Sequence, residues 1–148
     1  MLGQGFLGRP STFGGDLNLL IQIGLGLLLL VGFLLARRAK YALHGACQSC
    51  ALVATLVMTA LWMAPSFHNN YGPVIFKLGN RVNMAAAAHV VTGTVALVVG
   101  VYVVLVAGTP LIPKPLRFSN YKVWMRTLIT VWWLALVLGV LTYWMSTS

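Results

Sequence analysis

Four long apolar segments are the feature of this sequence that most constrains its fold. They cover residues 17–36, 41–64, 84–107 and 123–145, and Arg126 is the one charged side chain within them. A helix that crosses a bilayer needs about 20 mostly apolar residues, and each segment reaches that length. The sequence therefore predicts an all-α integral membrane protein, a four-helix transmembrane bundle with antiparallel up-down topology, in which residues 1–148 form a single domain within the lipid bilayer.

Basic residues far outnumber acidic ones, which gives a formal net charge of +9. They are spread over the connections between the apolar segments and are not gathered in one patch, so we do not interpret them as a nucleic-acid-binding surface. Cytoplasmic loops of membrane proteins carry an excess of Lys and Arg, and here that excess falls in residues 37–40 and 114–126. The sequence predicts that the first and third connections are cytoplasmic and that both termini are outside.

Capping residues and prolines set the expected helix ends. Ser11 and Asp16 are both candidate N-caps of the first helix. Only a few residues separate the Arg37-Arg38 pair from the second segment, and so short a connection predicts a tight hairpin between the first two helices. The second helix is expected to stop at Pro65, because proline cannot continue the hydrogen-bond ladder. Residues 65–83 would then form an outer loop that contains His68.

Asp16 is the one Asp or Glu in the chain. A single carboxylate excludes hydrolysis by a carboxylate pair and proton pumping through carboxylates. Histidine, cysteine, methionine and tyrosine are left as the main candidates for chemistry, and no catalytic motif accompanies them, so the sequence predicts a protein that is not an enzyme.

Small and polar residues mark the helix faces that are expected to point inward. In the third segment, one narrow stripe contains Ala86, His89, Gly93, Ala96, Gly100 and Ala107. At about 1.5 Å of rise per residue, His89 lies at the same depth as Gln22 of the first segment. The predicted packing and polar cluster near the outer end therefore comprises Gln22, Met58, Trp62, His68, Met84, His89 and Tyr143, whereas His44 and Tyr121 are placed near the inner end.

His89 has two interpretations. An ionisable side chain inside a membrane span is a functional candidate, and imidazole suits haem iron or copper. The alternative is a neutral histidine that is hydrogen-bonded to Gln22 or Tyr143. His68, Met84 and His89 together have ligand types that suit cuprous copper, although loop histidines and methionines at span ends are common.

The other candidates concern haem and thiol chemistry. His44 lies roughly 20 Å from His89 along the bundle, so one haem iron cannot bind both, and a haem would need one histidine with a second ligand such as Met84 or His68. Cys47 and Cys50 have the spacing of a redox or metal-binding pair, and they are equally typical of small apolar helix residues.

Three stretches of the sequence resemble a known family. They are Ala-Arg-Arg-Ala-Lys-Tyr-Ala-Leu-His at 36–44, His89 in the third segment, and Asn-Tyr-Lys-Val-Trp-Met-Arg-Thr at 120–127 followed by Trp132, Gly139 and Tyr143. Together they resemble a small bacterial family of four-helix membrane proteins, a domain of unknown function with members implicated in maturation of haem-copper cytochrome c oxidase. The resemblance covers about residues 17–146 and implies a multi-pass protein of the bacterial cytoplasmic membrane.

The resemblance also implies which residues bind a cofactor. Histidines at helix ends are the suspected haem or metal ligands of the family, and His44 and His89 match them. His68 falls in the corresponding loop without clear register, and Tyr121 stands where a histidine is expected before the fourth helix.

These observations favour a non-catalytic accessory or assembly subunit of a respiratory or photosynthetic electron-transfer complex. Such a subunit would pack against other integral membrane subunits and handle haem or copper at its outer face. The alternative is a small b-type cytochrome or a quinone-site electron-transfer protein. A small transporter is disfavoured, because the four segments have no charged residue at mid-depth and no interruption that would break a helix there.

Overall fold

The computed structural model describes residues 5–70 and 79–147, and this part of the chain is helical and contains no β-strand. A π-helical segment, Thr59–Met63, joins the second helix to the third, and a short 3-10 turn, Lys114–Leu116, precedes the last helix. The helices are α1 (Phe13–Arg37), α2 (Tyr41–Met58), α3 (Ala64–Asn70), α4 (Arg81–Gly108) and α5 (Tyr121–Ser146).

Four stretches are long and apolar enough to cross a membrane. They are Phe13–Arg37, Tyr41–Asn69, Arg81–Gly108 and Tyr121–Ser146. The prediction of an all-α chain with four such helices is confirmed, and the first, third and fourth each extend a few residues beyond the apolar segment that predicted them.

The second spanning stretch does not stop at Pro65. The N–H of Ala64 donates to the main-chain oxygen of Thr59, five residues earlier, so the helix widens into a π turn directly before the proline. Such turns change the hydrogen-bond register within a helix, and Pro65 itself has no N–H to place in that register. The predicted end at Pro65 is therefore wrong, and His68 lies on helix α3. Of the predicted loop, residues 71–78 lie outside the described residues.

The N-cap of α1 is neither of the two candidates. The Thr12 side chain accepts a hydrogen bond from the N–H of Gly15 at 3.2 Å, which satisfies one of the unpaired donors at the helix start. Ser11 precedes this cap, and Asp16 lies within the first turn of α1.

A three-residue turn connects α1 to α2, as the sequence predicted. The N–H of Lys40 donates to Leu35 at 3.0 Å and the N–H of Ala39 donates to Ala36 at 3.1 Å, which is the Schellman pattern of a helix C-terminus. Ala39 takes the left-handed conformation at this turn, with φ of 57°. Glycine usually occupies that position, because a Cβ atom disfavours positive φ.

One hydrophobic cluster draws residues from all four long helices. Helix α1 contacts α2 and α5, and α4 also contacts α2 and α5. At Gly100 of α4, an added Cβ would lie 3.2 Å from Leu52 and 3.5 Å from Trp132, so this glycine allows α2 and α5 to approach α4 closely. The core of the cluster consists of Leu29, Ala51, Leu52, Ala96 and Trp132.

The inward faces agree in large part with the predicted stripe on α4. Ala86, Ala96 and Gly100 are buried, whereas Ala107 is exposed and Val106 is buried instead. The prediction for Ala107 is therefore wrong, because the stripe was drawn through small and polar residues, whereas the last turn of α4 buries the larger apolar side chain of Val106. Large apolar side chains elsewhere face outward, for example Leu61, Val91 and Val98, as expected of helices whose outer faces contact lipid.

Candidate functional site

His89 joins α4 to α5 through a hydrogen bond to the main chain. Its Nδ1 atom lies 2.8 Å from the main-chain oxygen of Ala135, and the side chain is half-buried. A carbonyl oxygen only accepts, so Nδ1 carries the proton and donates it, and the lone pair of the neutral ring lies on Nε2. Neither of the predicted partners, Gln22 or Tyr143, takes this role.

The His89 ring lies against a glycine of the neighbouring helix. A Cβ atom added to Gly139 would lie 2.9 Å from Cε1 of the ring and 3.1 Å from Nδ1. The absence of a side chain at Gly139 is therefore what gives the imidazole room beside the α5 main chain. The sequence placed His89 on an inward face, but the spacing of residues within one helix does not show which carbonyl of a neighbouring helix this side chain meets.

His44 makes the same kind of contact between α2 and α1. Its Nδ1 atom lies 2.8 Å from the main-chain oxygen of Gly32, and Gln48 donates to the oxygen of Leu29 at 3.3 Å. A Cβ at Gly32 would lie 2.6 Å from Nε2 of Gln48, so a glycine again makes room for the polar side chain. We call the pairs His44–Gly32 and His89–Ala135 the two histidine clamps.

The two clamps lie on opposite sides of the core. Leu52 of α2 meets Gly100 of α4 at one level. His44 is eight residues from Leu52 towards the start of α2, about 12 Å, and His89 is eleven residues from Gly100 towards the start of α4, about 16 Å. This spacing agrees with the expectation that one iron cannot bind both histidines.

Asp16 is the polar residue whose role the sequence analysis missed. It has no solvent-exposed surface, and its carboxyl group accepts from the N–H of Phe6 at 2.6 Å and of Leu7 at 2.7 Å. The hydroxyl of Ser11 and the hydroxyl of Tyr143, the latter at 2.6 Å, also donate to it. Residues 5–12, which we call the N-terminal cap, are thereby held on the ends of α1 and α5.

Arg9 fastens the N-terminal cap to the last turn of α5. Its guanidinium carbon lies 3.4 Å from the centroid of the Trp144 ring, a cation–π contact. One of its nitrogens donates to the main-chain oxygen of Trp144 and to Thr147, each at 3.1 Å. In the sequence, the one signal is Asp16 itself, a carboxylate at the start of an apolar helix, where it complements the helix dipole. That signal does not indicate the contacts between residues 5–12 and α5.

The other members of the predicted outer cluster lie in different surroundings. Met58 and Trp62 line a shallow groove beside α1, where the Trp62 ring lies directly against Gly14. Nε2 of Gln22 is buried and has no hydrogen-bond partner among the described residues. At the other end of α5, Tyr121 is 38% exposed and stacks on Phe118, with ring centroids 5.5 Å apart.

The proposed copper ligands do not share one face. Met84 and His89 are five residues apart on α4, so their side chains leave the helix about 140° apart. Met84 is 54% exposed, whereas His89 turns towards α5, and His68 is exposed on α3. The copper site at His68, Met84 and His89 stays a prediction.

Within residues 5–70 and 79–147, no three or more His, Cys, Asp and Glu side chains are grouped so that they could hold a metal ion. Cys47 is half-buried and Cys50 is exposed, and both are free thiols. Haem or copper binding through one histidine does fit the structure. Metal-bound histidines almost always donate their other ring N–H to a carbonyl or carboxylate, and the Nδ1 contacts of His89 and His44 have that form.

No protein-family model, curated protein or solved structure matches this chain. The family resemblance described above therefore stays a prediction, and the functional argument depends on the geometry of the clamps and the cap.

Proposed function

We propose that the four long helices form an antiparallel up-down bundle in the bacterial cytoplasmic membrane, with both termini outside. Two side-chain contacts support this topology, because each joins the beginning of one helix to the end of another. Asp16 at the start of α1 meets Tyr143 near the end of α5, and Gly32 near the end of α1 meets His44 near the start of α2. The excess of Lys and Arg in residues 37–40 and 114–126 supports the orientation.

This bundle acts as a non-catalytic accessory or assembly subunit of a respiratory or photosynthetic electron-transfer complex. It belongs, in this proposal, to the small bacterial family implicated in maturation of haem-copper cytochrome c oxidase. The observation that carries the proposal is that the polar side chains inside the spans hold helices together. Both histidine clamps bond to main-chain oxygens of a neighbouring helix, and the one carboxylate holds the N-terminal cap.

Partner subunits would bind the outward faces of the helices. Leu61 is 74% exposed, Val98 is 65% exposed and Trp124 is 41% exposed. Side chains of this kind face lipid in an isolated bundle and pack equally well against the helices of another membrane protein.

Haem or copper handling would involve His89, through Nε2. Its Nδ1–H bond to Ala135 fixes the orientation of the ring, and a bound haem would supply one-electron transfer. Because the Met84 side chain extends from a different face of α4, the geometry supports His89 as the one ligand from this pair. A partner subunit would then supply the second ligand. The same free Nε2 favours the second candidate function, a small b-type cytochrome or quinone-site protein that itself carries electrons.

Deletion of the gene, combined with native gel electrophoresis of solubilised membranes, tests the proposed function. An accessory subunit will co-migrate with a haem-containing complex, and its loss will lower the amount of that complex and the rate of oxygen uptake or photosynthetic electron flow. A chain that migrates alone, with electron transport unchanged in the deletion strain, would contradict the proposal.

An absorption spectrum of the purified chain, oxidised and then reduced with dithionite, separates the two candidates. The accessory function predicts no stoichiometric Soret and α bands from the chain alone. Full haem occupancy in the isolated chain would instead establish the cytochrome.

A further inference from the structure

A groove of about 330 Å³ runs between α1 and α5 on the outer surface of the helices. It is separate from the two histidine clamps and from the N-terminal cap. Its wall is almost entirely apolar, and it is lined by Leu30, Phe33, Ile129, Thr130 and Trp133.

Two arginines lie at one end of this groove. Arg37 follows Phe33 by four residues, and Arg126 precedes Thr130 by four residues. Residues four apart occupy the same face of a helix one turn away, so both arginines extend the walls of the groove by one turn. Both are exposed, and their long side chains can reach across its mouth.

The chain offers these arginines no counter-charge of its own side chains. Asp16, the one Asp or Glu in the sequence, lies at the opposite end of α1 and is fully buried beneath the N-terminal cap. In the described part of the chain, neither Arg37 nor Arg126 makes an ion pair with a side chain. Both guanidinium groups are therefore available to an anion from outside the chain.

We propose that the groove binds an anionic phospholipid, with an acyl chain along the apolar wall and the phosphate between Arg37 and Arg126. Guanidinium groups bind phosphate with paired hydrogen bonds, and basic pockets between transmembrane helices are typical sites for anionic headgroups. The combination of an apolar groove with two arginines at one end fits a phospholipid better than it fits a neutral helix, which would leave both charges unneutralised.

Native mass spectrometry of the full chain in detergent, titrated with phosphatidylglycerol or phosphatidylcholine, tests this site. We expect one preferred phosphatidylglycerol adduct and weaker retention of phosphatidylcholine. The variant Arg37→Gln/Arg126→Gln should weaken phosphatidylglycerol binding about 25-fold, since each cation near an anionic lipid contributes roughly a factor of five. The matched control, Lys40→Gln/Lys114→Gln, removes the same charge from the same two basic stretches, residues 37–40 and 114–126. It should change binding less than about three-fold, because charges outside the groove act only through the screened surface potential.

A groove-filling variant separates a site from general surface attraction. Thr130→Phe keeps both arginines and places a ring in the groove, so it should reduce phosphatidylglycerol retention while helical content by circular dichroism stays unchanged. Equal retention of the two lipids, or equal loss in the control and in the arginine variant, would overturn the proposal. So would a partner polypeptide that binds through Arg37 and Arg126 and is not displaced by phosphatidylglycerol.

Discussion

His89 donates a hydrogen bond to Ala135, and its ring fills the space that Gly139 leaves open one turn further along α5. The close approach of α4 and α5 at this level thus depends on one polar contact and on one missing side chain. Because the lipid surroundings offer no water to replace a lost hydrogen bond, both features should be sensitive to substitution.

The variant Gly139→Ala tests the missing side chain. The new methyl group would lie 2.9 Å from the His89 ring, so the ring must move away from Ala135 or the helices must separate. We expect a loss of about 1–3 kcal/mol in the free energy of unfolding, measured by chemical denaturation in detergent micelles. Gly93→Ala is the matched control, since an added Cβ there meets nothing within 4 Å. It should be neutral or slightly stabilising, and equal destabilisation by the two variants would contradict the clamp.

The variant Asp16→Asn tests the N-terminal cap. The amide keeps the shape of the carboxyl group but loses its charge and presents N–H₂ in place of one acceptor oxygen. Hydrogen bonds to charged groups contribute about 1.5–3 kcal/mol each, so residues 5–12 should detach from α1 and α5. Hydrogen exchange at the amides of Phe6 and Leu7 should accelerate by at least ten-fold.

Tyr143→Phe removes one of the four donors to Asp16, so it should accelerate hydrogen exchange in the N-terminal cap less than Asp16→Asn does. The lost hydrogen bond should reduce the free energy that holds the cap in place by about 1–2 kcal/mol. Tyr121→Phe is its control, because Tyr121 is partly exposed and contacts Phe118 through its ring. A cap whose exchange is unaffected by Asp16→Asn would show that Arg9 and Trp144 hold it without the carboxylate.

The variant Ala39→Gly should stabilise the protein. Ala39 adopts a positive φ of 57° in the turn between α1 and α2, a conformation that costs an alanine about 1–2 kcal/mol and glycine almost nothing. Greater freedom of glycine in the unfolded chain offsets part of this gain, which leaves about 0.5–1 kcal/mol. A rise of a few degrees in the thermal midpoint would confirm it, and a lower midpoint would show that the turn is not strained.

The helices could be predicted from the sequence because the bilayer demands long apolar segments, and the chain has four of them. The continuation of the second helix past Pro65 could not be predicted, because proline normally interrupts an α-helix. Nothing in the local pattern indicated the π turn that precedes this proline. The N-cap was missed by one position for a similar reason, since Ser11, Thr12 and Asp16 are all suitable capping residues and the geometry alone selects Thr12.

The candidate site was predictable in its residue types and not in its contacts. His89 was placed on an inward face from helical spacing, but the acceptor, the main chain of Ala135, has no sequence signature. The role of Asp16 was likewise hidden, because its partners include two backbone N–H groups of the N-terminal cap. Contacts of side chains with a distant main chain depend on how helices are rotated and shifted against each other, and periodicity within one helix does not contain that information.

The most direct test of the account compares His89→Gln with His89→Ala in cells that carry each variant in place of the native gene. Glutamine can donate a hydrogen bond to Ala135 but does not replace imidazole as a haem or copper ligand. If His89 acts as a clamp in an accessory subunit, His89→Gln will retain most of the assembled complex and most of the electron-transport rate, whereas His89→Ala will lose both. Equal loss in the two variants, at equal protein levels, would contradict the clamp and make His89 a ligand.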